Sequence, residues 1–554
     1  MKKQIESLLQ TICKKLYGVD VDVNLVRPDN KFGDYATYVS FDLSPQLHKS
    51  PKEIAKQIAD EIKSDLISKS EVAGPGFINV YLSDSALAKA YKSALVWDKI
   101  NSGKEQLVEF GDPNPFKEMH LGHLYSSVVG DSIASLLESS GSDAKRLSYH
   151  GDIGLHVAKW IWAVGQETNW NPEKLINEGN NIDLGAYYVK GAKAFEEDKK
   201  AEAQIREINE HIYKRDKAEI NEIYELGKEV SFKKFDEIFK RIGVHFDKRY
   251  LESQSAEIGL KIVNENVGEV FSKSDGAVIY KGEEKGLHTR VFVNSRGLPT
   301  YETKELGLTV LKDKDYPKAD LSIIITANEQ AEYFKVVLAA LSEINPDLAK
   351  KTEHITHGFL SLSSGKMSSR TGDVYSAEKL LDDLQAAVKK QYPDTKVKDD
   401  IFKSALRYTF LKQKIGNDIV FDTNESVSLE GNSGPYIQYA YARAQSILEK
   451  VKSLNPDLKG SLKVEDVPLQ PAERDLAVKI SEYPEVVERT LRELMPHYIC
   501  TYLYELAQEF NRFYEANRII GDPRIFTRLE LVKTYAKVLE NGLQLLNIPT
   551  PVHM

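Results

Sequence analysis

Between Gln106 and about residue 380, short apolar runs alternate with helix-period segments, and this alternation restricts the fold more than any other feature of the chain. Leu107-Val108-Glu109-Phe110 reads as a strand and Gly111-Asp112-Pro113-Asn114-Pro115 as a break. Leu121, Leu124, Val128, Ile133 and Leu136 then fall at helical spacing until Gly141. Leu147-Ser148-Tyr149 and Leu321-Ser322-Ile323-Ile324-Ile325 read as further buried strands. Strand and helix in alternation predict an α/β unit built on a Rossmann-like, doubly wound parallel sheet.

The flanks read differently. Residues 1–95 open with Ile5, Leu8, Leu9, Ile12 and Leu16 at helical spacing, then the alternating Val21, Val23 and Leu25, a turn at Lys31-Phe32-Gly33-Asp34-Tyr35-Ala36, a helix from Ser50-Pro51 and a strand after Gly74-Pro75-Gly76. A small N-terminal α/β domain is expected there. Within 96–380, the stretch from about 187 to 241 is highly charged and helical, so an insertion with a solvated face is expected. Helical spacing dominates 381–554, which predicts an all-α C-terminal domain. At 554 residues, with 42 % hydrophobic and 28 % charged residues, the chain has material for about three or four units.

Composition excludes several classes. No run approaches a membrane helix and the first residues lack the apolar stretch of a signal peptide, so a cytoplasmic protein with no membrane association is expected. Cys13 and Cys500 stand far apart without Cys or His neighbours at ligand spacing, which indicates two buried thiols, with neither a disulfide framework nor a structural metal. A net charge of -9 argues against coating nucleic acid by charge alone, but leaves room for a folded RNA held by local patches and stacking.

The sharpest segment is Pro113-Asn114-Pro115-Phe116-Lys117-Glu118-Met119-His120-Leu121-Gly122-His123, where the first sheet strand hands over to a helix. A helix N-terminus offers unpaired amides and a positive dipole end, Gly122 admits a planar base, and two imidazoles can bond phosphate oxygens. No H-E-x-x-H and no third ligand at usual spacing supports zinc. Some 240 residues on lies a basic loop, Ser364-Gly365-Lys366-Met367-Ser368-Ser369-Arg370-Thr371-Gly372. Together the two resemble the paired HIGH and KMSKS signatures of class I aminoacyl-tRNA synthetases, written here HLGH and KMSSR.

Over nearly its whole length the chain resembles the arginyl-tRNA synthetases. The resemblance is carried by FGDYA, GPGFINVYL, EFGDPNP, HGDIG, LPTYETKELG and GNSGPYIQYAYARAQSIL. It implies arginine–tRNA ligase activity: ATP, accompanied by Mg2+, activates L-arginine to arginyl-adenylate, and the arginyl group passes to the 3′-terminal ribose of tRNA(Arg), at the 2′-hydroxyl in this class. His120, His123, Lys117 and Lys366 are the implied catalytic residues, and His120, Gly122, His123, Lys366, Met367 and Ser368 the ATP-binding set. Glu109 and Glu305 match the carboxylates that bind the arginine side chain, a fitting partner for a planar guanidinium. Tyr301 adds a hydroxyl and ring, and Asn114 and Gln330 match the groups that hold the substrate's amino and carboxylate ends. For tRNA, Tyr436 and Tyr439 share a helix face and could stack on unpaired anticodon bases, Met554 closes the chain as in the family, and Phe32 is a candidate for the tRNA corner. The family's usual form is a monomer.

Three departures from the family pattern stand out. Glu305 replaces the usual Asp, adding one methylene to the amino-acid pocket. Ser369 stands where KMSKS would put its second Lys, and Lys117 occupies the position thought to supply that charge instead. Ser148-Tyr149-His150-Gly151-Asp152-Ile153-Gly154 keeps only part of the usual N-H-V-G-D-W-G. The alternatives are a class I synthetase for another amino acid, a non-catalytic tRNA-binding paralogue, and a small nucleotidylyltransferase of similar fold, which would not need some 170 C-terminal helical residues.

Overall fold

A computed structural model describes residues 1–178, 182–363, 365, 375–454 and 468–554. Its centre is a five-stranded parallel sheet in the spatial order Thr352–His357, Ala319–Ala327, Glu105–Glu109, Asp143–His150, Lys248–Leu251. Of this sheet's strands the first in chain order lies in the middle; the next two lie to one side and the last two to the other. The winding therefore reverses between Glu105–Glu109 and Ala319–Ala327, and in open parallel sheets the carboxyl ends at such a reversal are where ligands bind. Leu107, Val108, Leu147, Ile323, Ile324 and Ile325 are buried, as a sheet covered on both faces requires.

The helix Leu121–Ser139 follows the central strand and is buried along almost all its length, with Ser140 and the left-handed Gly141 ending it as expected. Helices Leu155–Thr168, Leu184–Glu197, Lys199–Lys214 and Ala218–Ile242 form a layer beside the sheet. The charged stretch belongs to this layer, and only part of it is solvated. Glu196, Glu197, Lys199 and Lys200 are exposed, while Ile205, Ile208, Ile212, Ile223 and Tyr224 pack around Trp160 and Phe116 in a core of their own. Each such aliphatic side chain contributes about 1.5–3 kcal/mol on burial. Wide sequence spacing of the isoleucines among charges hid that stripe.

The N-terminal unit is an antiparallel sheet in the order Leu25–Val26, Tyr35–Thr37, Phe77–Leu82, Ile67–Ala73, packed against helices Lys2–Tyr17, Val39–Leu47 and Pro51–Glu61. The Val21-Val23-Leu25 alternation yields only a two-residue strand, and the last two residues of the expected turn, Tyr35 and Ala36, belong to the interior strand Tyr35–Thr37. The chain ends in helices, among them Lys398–Leu411, Gly434–Leu454, Pro471–Ser481, His497–Ala516 and Ile525–Leu545. A short parallel pair, Leu360–Leu362 with Ile419–Phe421, ties the end of the sheet region to them. Cys13 and Cys500 are buried and unpaired, and burial pushes the Cys13 thiol up to about 11. Among the described residues no helix is long and apolar enough to cross a membrane.

Candidate active site

His120 is the N-cap of the helix Leu121–Ser139, so the H-x-x-H pair sits where unpaired amides face outward. The imidazoles occupy some of those amides themselves. Gly122 N donates to His120 Nδ1 at 3.1 Å and His120 N donates to His123 Nδ1 at 3.4 Å, while the two rings stack with centroids 3.5 Å apart. With Nδ1 accepting, the proton of each neutral ring sits on Nε2, which becomes a donor toward a ligand. Crowding by protein, with the Lys117 charge beside it, pushes His120 down to about 4. Burial and the neighbouring His120 hold His123 well below the usual imidazole range. Both are neutral N–H donors near pH 7.

Lys117 stands close by, its ammonium 4.4 Å from the centre of the Tyr188 ring, and among the described residues no carboxylate forms an ion pair with it. The described residues on either side of the basic loop lie near this place. Before it, Ser363 Oγ, just past Leu360–Leu362, donates to Asp422 at 2.8 Å; after it, Ser376 bridges His120, while Ala377 N donates to Met119 O at 2.9 Å. Lys366, Met367 and Ser368, like Ser369, lie outside the described residues.

The second half of the site is acidic. Glu109, at the carboxyl end of the central strand, is buried, and its Oε2 pairs with Lys312 at 2.8 Å. Glu305 lies two helical turns before Lys312 on the helix Tyr301–Asp315. Among the described residues no donor or cation bonds its carboxylate, and burial beside Glu109 holds it well above the usual carboxyl range. Asp112 is shifted the same way by burial and Glu109. Glu252 pairs with Lys304, both buried. Lys312, Glu252, Lys304 and Asp112 were not among the sequence candidates. The only signal for the two lysines was their helical spacing on LPTYETKELG and beyond.

Backbone contacts explain why these groups meet. Helices Glu252–Glu265 and Tyr301–Asp315 pack so tightly that a Cβ on Gly307 would lie 2.0 Å from Ser255 O and one on Gly259 1.9 Å from Thr303 O. Only glycine permits that approach, which sets Glu305 against the sheet. HGDIG is a clamp: His150 Nδ1 donates to Pro113 O at 2.8 Å, His156 Nε2 to Gly151 O at 2.7 Å, and Asp152 accepts from Tyr224, Ser253 N and Ser253 Oγ at 2.6, 2.8 and 2.6 Å. A Cβ at residue 151 would sit 2.4 Å from Asn114 Oδ1, so Gly151 makes room for that amide. Asp112 and Phe116, both in the left-handed region at φ 44° and 66°, bracket Asn114.

Tyr301 begins its helix and is 59 % exposed, with the Lys304 ammonium 4.9 Å from its ring centre. Gln330 ends the short turn Asn328–Gln330 directly after the strand Ala319–Ala327 and is exposed at the reversal point. The RNA candidates lie elsewhere. Tyr436 and Tyr439 share the outward-leaning face of Gly434–Leu454, but Tyr436 packs edge-on against Tyr504 and accepts from Asn511 Nδ2 at 3.0 Å, while Tyr439 is exposed. Phe32 is exposed under the Lys31 ammonium, and Met554 packs against the core.

A parallel sheet in this order, with stacked histidines at the helix after its central strand, defines the catalytic body of a class I aminoacyl-tRNA synthetase, and residues 86–423 match the family described as tRNA synthetases class I (R), catalytic domain. Residues 1–82 match the arginyl tRNA synthetase N terminal domain and 437–554 the DALR anticodon binding domain. The chain belongs to the arginyl-tRNA synthetase family. It is 30 % identical to an arginine–tRNA ligase of Borreliella afzelii, over 97 % of this chain and 95 % of that one, and 30 % identical to an arginine–tRNA ligase of Lactobacillus delbrueckii subsp. bulgaricus, over the full length of both. The solved Thermus thermophilus arginyl-tRNA synthetase superposes over 100 % of both chains with a TM-score of 0.80 at 25 % identity.

Proposed function

We propose that the chain activates L-arginine with ATP and transfers it to the 3′-terminal ribose of tRNA(Arg). The observation that carries this reading is Glu305: a half-buried carboxyl crowded by Glu109 and bonded to no cation among the described residues, beside the carboxyl end of the central strand, is set up for a cation from outside. A guanidinium supplies planar donors to Glu305 and to Glu109 in a way a lysine ammonium does not. Asn114 and Gln330 hold the substrate's amino and carboxylate groups, and Tyr301 covers the side chain.

In the first step the arginine carboxylate oxygen attacks the α-phosphorus of ATP and pyrophosphate leaves. Negative charge builds on the phosphates as it does so. His120, His123, the amide of Gly122, Lys117 and the loop residues Lys366, Met367 and Ser368 serve as the fixed donors that stabilise it. In the second step the ribose hydroxyl of tRNA attacks the adenylate carbonyl and AMP leaves. Mg2+ accompanies ATP; among the described residues no three His, Cys, Asp or Glu side chains are grouped to hold a metal, so no protein ligand is assigned to it and no step is routed through it.

In this reading residues 1–95, 96–380 and 381–554 contact tRNA, carry the chemistry and receive the anticodon, with Phe32, Tyr436, Tyr439 and Met554 as RNA contacts, in a cytoplasmic monomer. The test is ATP–pyrophosphate exchange with each amino acid, with and without tRNA. Exchange that depends on arginine and on no other amino acid is expected. Stronger exchange with any other amino acid would overturn the assignment.

A further inference from the structure

The helix that carries His120 and His123 is gripped about three turns farther on by a buried polar cluster that the chemistry above does not use. Asp131, 1 % exposed, accepts from Arg146 Nε at 2.9 Å through Oδ1, and through Oδ2 from an Arg407 guanidinium N–H at 2.6 Å and from Asn547 Nδ2 at 2.7 Å. Arg407, also 1 % exposed, donates from Nε to Leu546 O at 3.0 Å and from a terminal N–H to Ile242 O at 3.3 Å. Arg146 also bonds Ser135 and Glu138 on the same helix. Two carboxylates and two guanidinium groups balance.

The three donors come from the strand Asp143–His150, the helix Lys398–Leu411 and the turn after the last helix at Asn547, and Arg407 is in turn held by the carbonyl of Ile242 at the end of Ala218–Ile242. Asn547 holds a left-handed backbone at φ 54°, which asparagine tolerates. It lies within residues 437–554, which match the anticodon binding domain, yet its amide reaches the nucleotide-site helix.

Buried ion clusters are poor stabilisers, because desolvation offsets most of the attraction and apolar replacements of similar size are often as stable. What they supply is direction. The other polar contacts of Leu121–Ser139 include single neutral bonds, from Gly111 N to Ser126 Oγ at 3.2 Å and from Trp97 Nε1 to Ser139 O at 3.3 Å, and these with the apolar packing fix rotation and sliding less firmly than a carboxylate held from three sides. Donors at a reacting phosphate must be placed to well under 1 Å. We propose that Asp131 is a positioning residue that fixes the rotation and axial register of the HLGH helix, and that Arg407 and Asn547 make the C-terminal helical region part of the active-site scaffold. The proposal rests on that helix end being the nucleotide site.

The test compares wild type with Asn547→Gly, which keeps the left-handed backbone and removes the amide, and with Asp131→Asn. Readouts are kcat and KM in ATP–pyrophosphate exchange, tRNA binding and thermal stability. We expect kcat to fall about 10-fold in Asn547→Gly and on the order of 100-fold in Asp131→Asn, with KM for ATP and amino acid and the tRNA affinity held within about 2-fold. If Asp131→Asn does not fold, Asn547→Gly decides alone. A lowered melting temperature with unchanged kcat, or a change confined to KM or tRNA affinity, would overturn the proposal. Rates are taken as ratios to wild type on whichever amino acid it activates best, so a wrong assignment of arginine would appear in the wild type and leave this test intact.

Discussion

The two halves of the site solve opposite electrostatic problems a short distance apart. Around the carboxyl ends of the sheet strands stand Glu109, Asp112, Glu252 and Glu305, of which Glu109 pairs with Lys312 and Glu252 with Lys304, while burial and the neighbouring Glu109 hold the carboxyls of Asp112 and Glu305 high. At the helix N-terminus, two imidazoles are kept neutral and locked by backbone amides, with Lys117 beside them. One half is short of positive charge and suits a cationic side chain. The other offers oriented N–H groups and a positive charge, and suits phosphate. Polarity of this kind suits two unlike substrates, as the proposed function requires, without either occupying the other's place.

Substitutions that act on one half should leave the other alone. The largest effect is expected for Glu305→Gln, which leaves the bound guanidinium underpaired: about 2 to 5 kcal/mol in kcat/KM for arginine, with KM for ATP unchanged, by steady-state exchange. Glu305→Asp should lower arginine use by less, since the shorter carboxylate keeps its charge but no longer fills a pocket fitted to glutamate. Lys117→Met should slow adenylate formation roughly 100-fold, the scale of losing one fixed donor at the leaving phosphates. Adding Ser369→Lys to that variant should recover part of the rate, and near-normal exchange by Lys117→Met alone would remove Lys117 from the mechanism.

Outside the site, Tyr439→Ala should weaken tRNA binding by about 1 to 3 kcal/mol if a base stacks there, with little change in melting temperature because the ring is exposed. Tyr436→Ala should lower stability as well, since it removes contacts to Tyr504 and Asn511. Equilibrium tRNA binding and thermal melts on both variants separate the two roles. The smallest effect is a fraction of a proton. Glu305 holds its proton above the usual carboxyl range when free, and a bound cation lowers that value, so arginine binding should release a proton. Affinity should then rise with pH from the lowered bound value to the raised free one, and level off above it. Calorimetry in buffers of different ionisation enthalpy checks the sign.

The sheet class, the helix after Glu109 and the burial of both cysteines were legible in the sequence, because each rests on local periodicity or on spacing. The histidines and the basic loop were recognisable as a pair, though nothing local says that Ser376 returns onto His120. What stayed hidden depends on partners distant in the chain. Glu109 reads as a free pocket carboxylate until Lys312, 203 residues on, is seen to take one of its oxygens. Asp131, Arg407 and Asn547 look like three unrelated polar residues, two on helices and one in a turn. The core formed by Ile205, Ile208, Ile223, Trp160 and Phe116 was masked by the charges between its members, because a charge-rich helix needs only one apolar stripe to pack.

The claim that one site carries two electrostatically opposed halves is tested most directly by equilibrium binding of arginine and of ATP, each measured by calorimetry on Glu305→Gln and on Lys117→Met. The expected result is a crossover: Glu305→Gln loses arginine affinity and keeps that for ATP, while Lys117→Met keeps arginine affinity and loses whatever ground-state affinity its ammonium gives the ATP phosphates. Loss of arginine affinity in Lys117→Met, or an unchanged arginine affinity in Glu305→Gln, would contradict the account.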